Sequence, residues 1–328
     1  MPAEISATKE RKPPVKTASV PDRLQRFLAA YWLRPENALW MTLRSEVLSG
    51  VLWEAPALDA CCGDGVFSFL HMGGKFDPAF DVYRGVEPGA ATGRLGRDLY
   101  DCVTDEYRPK IAVRPACCIE TGSDMKKSLL AKADRLDFYG RTVAHDHNLP
   151  LPFADESFQT VYCNAAYWMR NVDGLLAEFR RMLRPGGRLI LHVKLDALRR
   201  HTLEPFRAAL GDQVLSILGG DRLDCWPGLT DRAGWEARFR AAGLRIADAR
   251  PFVTHTHALM WYVGLRPIAP LLMRMVAELT ETTRQSIKKD WVELFTTLLM
   301  PLCRSDFSLH PDSEEPAEIQ YVLTRSAE

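Results

Sequence analysis

The chain lacks an excess of charge of either sign, a metal-type cysteine spacing and an apolar run of membrane-spanning length, and each lack removes a class of function. Lys plus Arg and Asp plus Glu both count 42 in 328 residues. With no net charge there is no global field to gather nucleic acid or an anionic membrane, so nucleic acid is not an expected partner. Eight cysteines include the adjacent pairs Cys61-Cys62 and Cys117-Cys118, with Cys102, Cys163, Cys225 and Cys303 apart. None has the CxxC spacing of a zinc knuckle or the look of a secreted disulfide framework, which predicts a reducing, cytoplasmic location. The pairs His145-Asp146-His147 and His255-Thr256-His257 have no third cluster to complete a metal site, so no metal is expected.

No run approaches the ~20 apolar residues of a membrane span. The stretches from Ala258 to Leu265 and from Pro270 to Val276 are short, and the second carries Arg274, which leaves only peripheral membrane contact open. Residues 1–22 open with MPAEISATKERKPPVKTASV, basic, proline-bearing and without an apolar h-region. They read as a disordered leader and not as a signal peptide.

What is present is an alternation of strands and helices. Helical spacing runs from about Arg23 to Trp32 and from Glu36 to Leu48, a pair of N-terminal helices within residues 23–50 that would wall the following turn. An apolar strand then ends at Asp59 in the small-residue turn Ala60-Cys61-Cys62-Gly63-Asp64-Gly65, and a helix follows to Gly73-Gly74. From Phe76 to Pro115 the pattern is irregular, an insertion at about residues 75–115.

Order returns with a strand from Ala116 to Ser123, Asp124, and a helix marked by Leu129, Leu130, Ala133, Leu136 and Phe138. Strands follow at Arg141 to His145 and Phe158 to Cys163, joined through Leu149-Pro150-Leu151-Pro152-Phe153, where two prolines block a helix. A helix capped by Asp173 and stopped by Pro185-Gly186-Gly187 leads to a buried strand from Arg188 to Val193. A helix at Ala233 to Ala242 and a strand at Leu244 to Val253 come next. Residues 254–313 are mostly helical, with one stripe at Leu271, Leu272, Met275, Val276 and Leu279 and another at Trp291, Phe295, Leu298 and Leu299, both expected to be helix core. A strand from Ile319 to Thr324 closes the pattern. The fold class is α/β, a doubly wound, mostly parallel sheet with N-terminal helices and a helical cap at 254–313 inserted before the last strand. The core then comprises 51–253 plus 314–328.

Three ordered blocks carry a resemblance. They are Leu58-Asp59-Ala60-Cys61-Cys62-Gly63-Asp64-Gly65, then Leu149-Pro150-Leu151-Pro152-Phe153-Ala154-Asp155-Glu156-Ser157-Phe158, then Glu178-Phe179-Arg180-Arg181-Met182-Leu183-Arg184-Pro185-Gly186-Gly187-Arg188. Together they resemble the class I, Rossmann-like, S-adenosylmethionine-dependent methyltransferases, of the type 11-like small-molecule kind, over about Val51 to Val193. The chain departs from that pattern at Cys61, where glycine is usual, and at Gln159, where aspartate is common. The resemblance implies a seven-stranded sheet and S-adenosyl-L-methionine as cofactor, bound by Asp59, Ala60, Cys61, Gly63, Asp124, Asp146, His147 and Asn164.

A carboxylate at the end of the second strand matches two ribose hydroxyl donors, and both Glu87 and Asp124 stand at workable distances. Only Asp124 gives a continuous strand, helix, strand unit into Asp146. Asp146 resembles the residue that accepts from the adenine amino group. As plain structure, Asp59 would cap a turn, and Asp124 and Asp146 would be helix N-caps.

The acceptor side is read from chemistry. A base is needed where the acceptor loses a proton as it attacks, and His255, His257 and His147 are the candidates. Asn164-Ala165-Ala166-Tyr167 lacks the two prolines that nucleobase amino methyltransferases carry there. Tyr167, Trp168, Trp261 and Arg266 are the candidate walls of a small-molecule pocket. The pattern is also similar to bacterial methyltransferases of glycan or secondary-metabolite assembly, by transfer to O, N or C. The alternatives are a catalytically idle methyltransferase-like scaffold and an NAD(P)-dependent oxidoreductase, whose GxGxxG turn is missing.

Overall fold

A computed structural model describes residues 19–84, 103–219, 225–309 and 315–325. Seven strands form one sheet: β1 (Ala57–Ala60), β4 (Ile119–Asp124), β5 (Tyr139–Ala144), β6 (Phe158–Cys163), β7 (Leu183–Lys194), β8 (Leu244–Val253) and β9 (Glu318–Arg325). Their order across the sheet is β5-β4-β1-β6-β7-β9-β8, with β9 antiparallel to both of its neighbours and the other pairings parallel. The order reverses at β1, so its carboxyl end opens a crevice, the place where ligands sit in such sheets. β2 (Lys75–Phe76) and β3 (Ile111–Val113) form a separate antiparallel pair inside the stretch whose sequence shows no period.

The N-terminal helices are well specified. In α1 (Val20–Ala30) the Ser19 hydroxyl accepts from the Asp22 amide, Pro21 fits the first turn, and Leu24, Phe27 and Leu28 make one buried face. In α2 (Pro35–Leu48), Leu39, Trp40, Leu43 and Val47 are buried. α3 (Val66–His71) and α4 (Lys127–Asp134) follow β1 and β4.

α5 (Val172–Met182) is capped two residues earlier than Asp173 suggests. The Asn171 side chain accepts from the Gly174 amide at 3.1 Å, and Asp173 lies in the first turn, where a carboxylate suits the helix dipole. The chain then passes directly into β7 at Leu183, bending through Gly186, whose φ is 73°. α6 (Ala197–Arg200), α7 (Arg207–Gly219) and α8 (Arg232–Ala241) separate β7 from β8, and α9 (His255–Val263), α10 (Ala269–Ala277) and α11 (Glu281–Leu299) separate β8 from β9.

One expectation of burial fails. In α10 the core takes Ala269, Met273 and Val276, while Leu271 and Met275 from the expected core stripe are 54% and 65% exposed. On α11, Leu299 is buried and Leu298 exposed. Both helices are apolar on more than one face, and periodicity alone does not say which face meets the protein.

Glu87 lies outside the described residues, as do residues 1–18 of the leader.

Candidate active site

The turn after β1 is built so that its backbone stands open. Cys61, Gly63 and Gly65 have φ of 58°, 60° and 73°, the left-handed region that costs a side chain about 1 to 2 kcal/mol. Gly65 is sterically required: a Cβ there would lie 2.8 Å from the Tyr139 ring. A Cβ on Gly63 would meet no atom within 4 Å, so the Cβ side of this residue faces open space where a ligand has room to approach. Ala60, buried at the end of β1, pairs with Cys163 of β6.

Asp124 ends β4 beside that turn. Its Oδ2 accepts from the Gly63 amide at 3.0 Å and its Oδ1 from the Lys126 amide at 2.9 Å. Burial raises the Asp124 carboxyl despite those two amides. A carboxylate offers about four lone-pair directions, so two remain for hydroxyl donors. Asp124 is not a helix cap, since α4 begins at Lys127 with no side-chain cap bond.

Beyond β5, Asp146 accepts at Oδ1 from both the amide and the side chain of Asn148, and those bonds lower its carboxyl below the usual range. His147 is buried with Nε2 2.9 Å from the Ser123 hydroxyl, and burial pushes its imidazole down to about 4. It is therefore neutral at physiological pH. Asn164, half-buried just past β6, donates to the Tyr162 hydroxyl at 3.4 Å. Asp124, His147 and Asn164 thus flank the glycine turn at the carboxyl ends of β4, β5 and β6.

Asp59 does something different. It is buried, and one oxygen accepts from the Ser68 hydroxyl at 2.5 Å and from the Tyr139 hydroxyl at 2.6 Å. Burial pushes its carboxyl up to about 6 against the pull of those two donors. The side chain ties the turn to α3 and β5. Tyr139 carries no sequence signal for this, because its partner stands 80 residues away.

On the other side of β6 a buried aromatic cluster forms. The ammonium of Lys194, at the carboxyl end of β7, lies 3.9 Å from the Trp40 ring centre, 5.4 Å from Tyr167, 5.5 Å from Trp226 and 5.9 Å from Trp261. All are cation–π distances. Trp168, partly exposed, meets Trp226 edge-on at 5.9 Å. Glu318 on β9 bonds Lys194 at 3.1 Å, Arg44 at 2.6 Å and Trp40 Nε1 at 2.7 Å. Burial alone would raise the Glu318 carboxyl, but Arg44 and Lys194 hold it at about 2. Among the described residues the buried Trp226 Nε1 has no acceptor.

The structure therefore brings Tyr167, Trp168 and Trp261 together, and adds Trp40, Trp226 and Lys194. Lys194 is legible in principle, as the charge that ends an apolar strand on the ligand side of the sheet. Arg266 is elsewhere, donating to the Leu218 carbonyl at 2.8 Å.

His255 and His257 follow β8, the far edge of the sheet, four strand spacings or roughly 20 Å from β1. His257 shares Nδ1 with Thr254 in the cap of α9, and its Nε2 stands 2.9 Å from the Leu302 carbonyl. Burial lowers its imidazole. His255 Nδ1 stands 3.1 Å from His201 Nδ1. Neither is brought to the glycine turn. Among the described residues no group of three His, Cys, Asp or Glu is placed to hold a metal. A cavity of about 550 Å³ beside Trp53, Glu54, Arg114 and Cys118 lies at the opposite, amino ends of β1 and β4.

Residues 102–191 match the family model described as a methyltransferase domain. Over those residues the chain carries a methyltransferase domain. No curated protein matches the chain. Among solved structures it is similar to the cyclase SpnF, with 14% identity over 88% of this chain and 82% of that one and a TM-score of 0.44. It is also similar to geranyl diphosphate C-methyltransferase from Streptomyces coelicolor A3(2), solved with Mg2+, geranyl diphosphate and S-adenosyl-L-homocysteine, with 13% identity over 88% and 82% and a TM-score of 0.38. MccD protein aligns with 12% identity over 88% of this chain and 98% of that one, at a TM-score of 0.41. Likeness at this level says nothing of the acceptor. Among the described residues no helix is long and apolar enough to cross a membrane.

Proposed function

We propose that the methyl acceptor is a small molecule held against the cluster of Tyr167, Trp168, Trp226 and Trp261, beside Lys194. One observation carries this reading: Trp226 Nε1 is buried without an acceptor, in a cluster of rings one strand away from Asn164. Buried donors are ordinarily satisfied, so an acceptor atom of a bound molecule would complete it.

Bound S-adenosylmethionine supplies an activated methyl on a cationic sulfur. The chain's own residues have to hold the two reactants in line, and positioning alone lowers such a barrier substantially. In this reading Asp124 receives the ribose hydroxyls, the open backbone at Gly63 admits the nucleoside, Asp146 and His147 flank the base, and Asn164 faces the methionine part. Asp59, Ala60 and Cys61 set the shape of the turn. The rings of Tyr167, Trp226 and Trp261 exclude water and stack on the acceptor. The wall holds aromatic rings and a fixed cation, which suits a planar or glycan-like metabolite better than a nucleic acid strand. None of the three histidines is needed for such positioning; of them, only His147 lies beside the glycine turn, and it is neutral.

The test is transfer of labelled methyl from S-adenosylmethionine to fractionated cell extract. The expected result is a labelled small molecule whose formation falls at least ~tenfold in Trp226→Ala, about 1.4 kcal/mol, with S-adenosylhomocysteine affinity unchanged. Label found only in protein or nucleic acid, or full transfer by Trp226→Ala, would overturn the reading.

A further inference from the structure

We propose that Gln320, His192 and Tyr162 form a one-way hydrogen-bond relay that locks the Asn164 amide with its carbonyl oxygen presented to the α-ammonium of S-adenosylmethionine. This rests on the reading that Asn164 faces the methionine part. The relay starts at a backbone carbonyl. Val47 lies in the last turn of α2, where carbonyls have no partner inside the helix, and its oxygen accepts from Gln320 Nε2 at 3.1 Å. A carbonyl only accepts, so the Gln320 amide must face it with nitrogen, which leaves Oε1 toward His192 Nε2 at 2.9 Å. His192 Nε2 then carries the ring proton. Burial pushes the His192 imidazole down to about 3, so the ring is neutral at physiological pH and Nδ1 is an acceptor.

Tyr162 therefore donates its hydroxyl proton to Nδ1, 3.0 Å away, and its oxygen is left to accept. Asn164 meets that oxygen with Nδ2 at 3.4 Å, which turns Oδ1 the other way. Tyr162, His192 and Gln320 are at most 1% exposed, so bulk water does not compete for any of these links. Ala60 pairs with Cys163 across the sheet, so Asn164, one residue on, stands beside the open turn at Cys61. An amide carbonyl presented there accepts N–H donors, whereas the reversed amide would present its own N–H groups and repel a cation. On the methionine part the sulfonium and the carboxylate donate nothing, and the α-ammonium carries three N–H donors. The relay joins α2, β9, β7 and β6, and Gln320, His192 and Tyr162 act through Asn164, which makes them positioning residues. Packing alone would be met by apolar side chains, without the cost of burying three polar ones.

Calorimetry on the full chain tests this with S-adenosylhomocysteine, which carries the ammonium, and 5′-methylthioadenosine, which lacks the amino-acid part. Tyr162→Phe lets the Asn164 amide turn, and is expected to weaken S-adenosylhomocysteine about tenfold while methylthioadenosine stays within about twofold. Gln320→Leu, at the far end of the relay, releases the His192 tautomer and should give the same selective loss, at least ~threefold. Asn164→Asp supplies the rescue. A carboxylate accepts on either oxygen and has no wrong orientation, so adding Tyr162→Phe to Asn164→Asp should change S-adenosylhomocysteine affinity by less than about twofold. Equal loss of both ligands in Tyr162→Phe and Gln320→Leu, or an undiminished effect of Tyr162→Phe in the Asn164→Asp background, marks a purely structural network and overturns the proposal. Asn164→Leu separates this failure from failure of the underlying reading. Full S-adenosylhomocysteine affinity in Asn164→Leu removes Asn164 from the methionine part and the relay's role with it, whereas lost affinity there beside unaffected Tyr162→Phe and Gln320→Leu keeps Asn164 in place and rejects the relay alone.

Discussion

Tyr139 donates its hydroxyl to the buried carboxylate of Asp59 at 2.6 Å, linking the first residue of β5 to the end of β1. Removing that donor in Tyr139→Phe leaves a buried carboxylate short of one partner. The expected loss is about 1 to 3 kcal/mol, read from urea unfolding.

The same carboxylate gives a pH dependence. Its folded pKa of about 6 lies above the ordinary 3.8, so the folded state holds its proton more tightly than the unfolded chain. The contribution to stability is fully present below 3.8 and is lost as pH rises through about 6. Relative to Asp59→Asn, wild type should lose about 2 to 3 kcal/mol between pH 4 and pH 7, in denaturant titrations across that range.

Asp124 should act on affinity. In Asp124→Ala, calorimetric binding of S-adenosylhomocysteine is expected to weaken at least ~tenfold, about 1.4 kcal/mol, while Glu87→Ala leaves it within about twofold. The reverse outcome would transfer the ribose role to Glu87.

Cys61 sits at a φ of 58°, where glycine is the relaxed residue. Cys61→Gly should fold and bind donor within about threefold of wild type, whereas Cys61→Val, with a branched Cβ in the left-handed region, should lose about 2 kcal/mol or more. Thermal melts of both variants decide it.

Glu318 carries the opposite pH sign to Asp59. Its carboxyl is held at about 2 against an ordinary 4.5, so its contribution is present above 4.5 and lost as pH falls towards 2. Glu318→Gln at neutral pH leaves Arg44 and Lys194 buried without their shared partner, and a loss of about 3 to 5 kcal/mol is expected in urea unfolding. Acid titration should show the gap to wild type closing only below pH 4.5.

Elements whose signal is local were legible in the chain. β6 and β8 stand at the residues where apolar runs and turn residues put them, and Asp124 stands at the end of a strand that leads into a helix. What escaped depends on contacts between distant segments. Tyr139 meets Asp59, and Trp40 and Arg44 meet Glu318, only after the sheet has formed. Leu271 and Met275 escaped for the converse reason: an apolar stripe announces burial but does not say against what. His255 and His257 fell on the correct end of the sheet, yet lateral strand order, which no local pattern encodes, puts them at its far edge.

The insertion of β9 between β7 and β8 has a consequence for assembly. Glu318, which anchors α2 and Lys194, is made 278 residues after Trp40. On a ribosome the turn after β1 and its flanking strands can form early, but the aromatic cluster around Lys194 waits for nearly the whole chain. The proposed acceptor side should therefore be completed after the turn that follows β1, and truncation before β9 should remove it first.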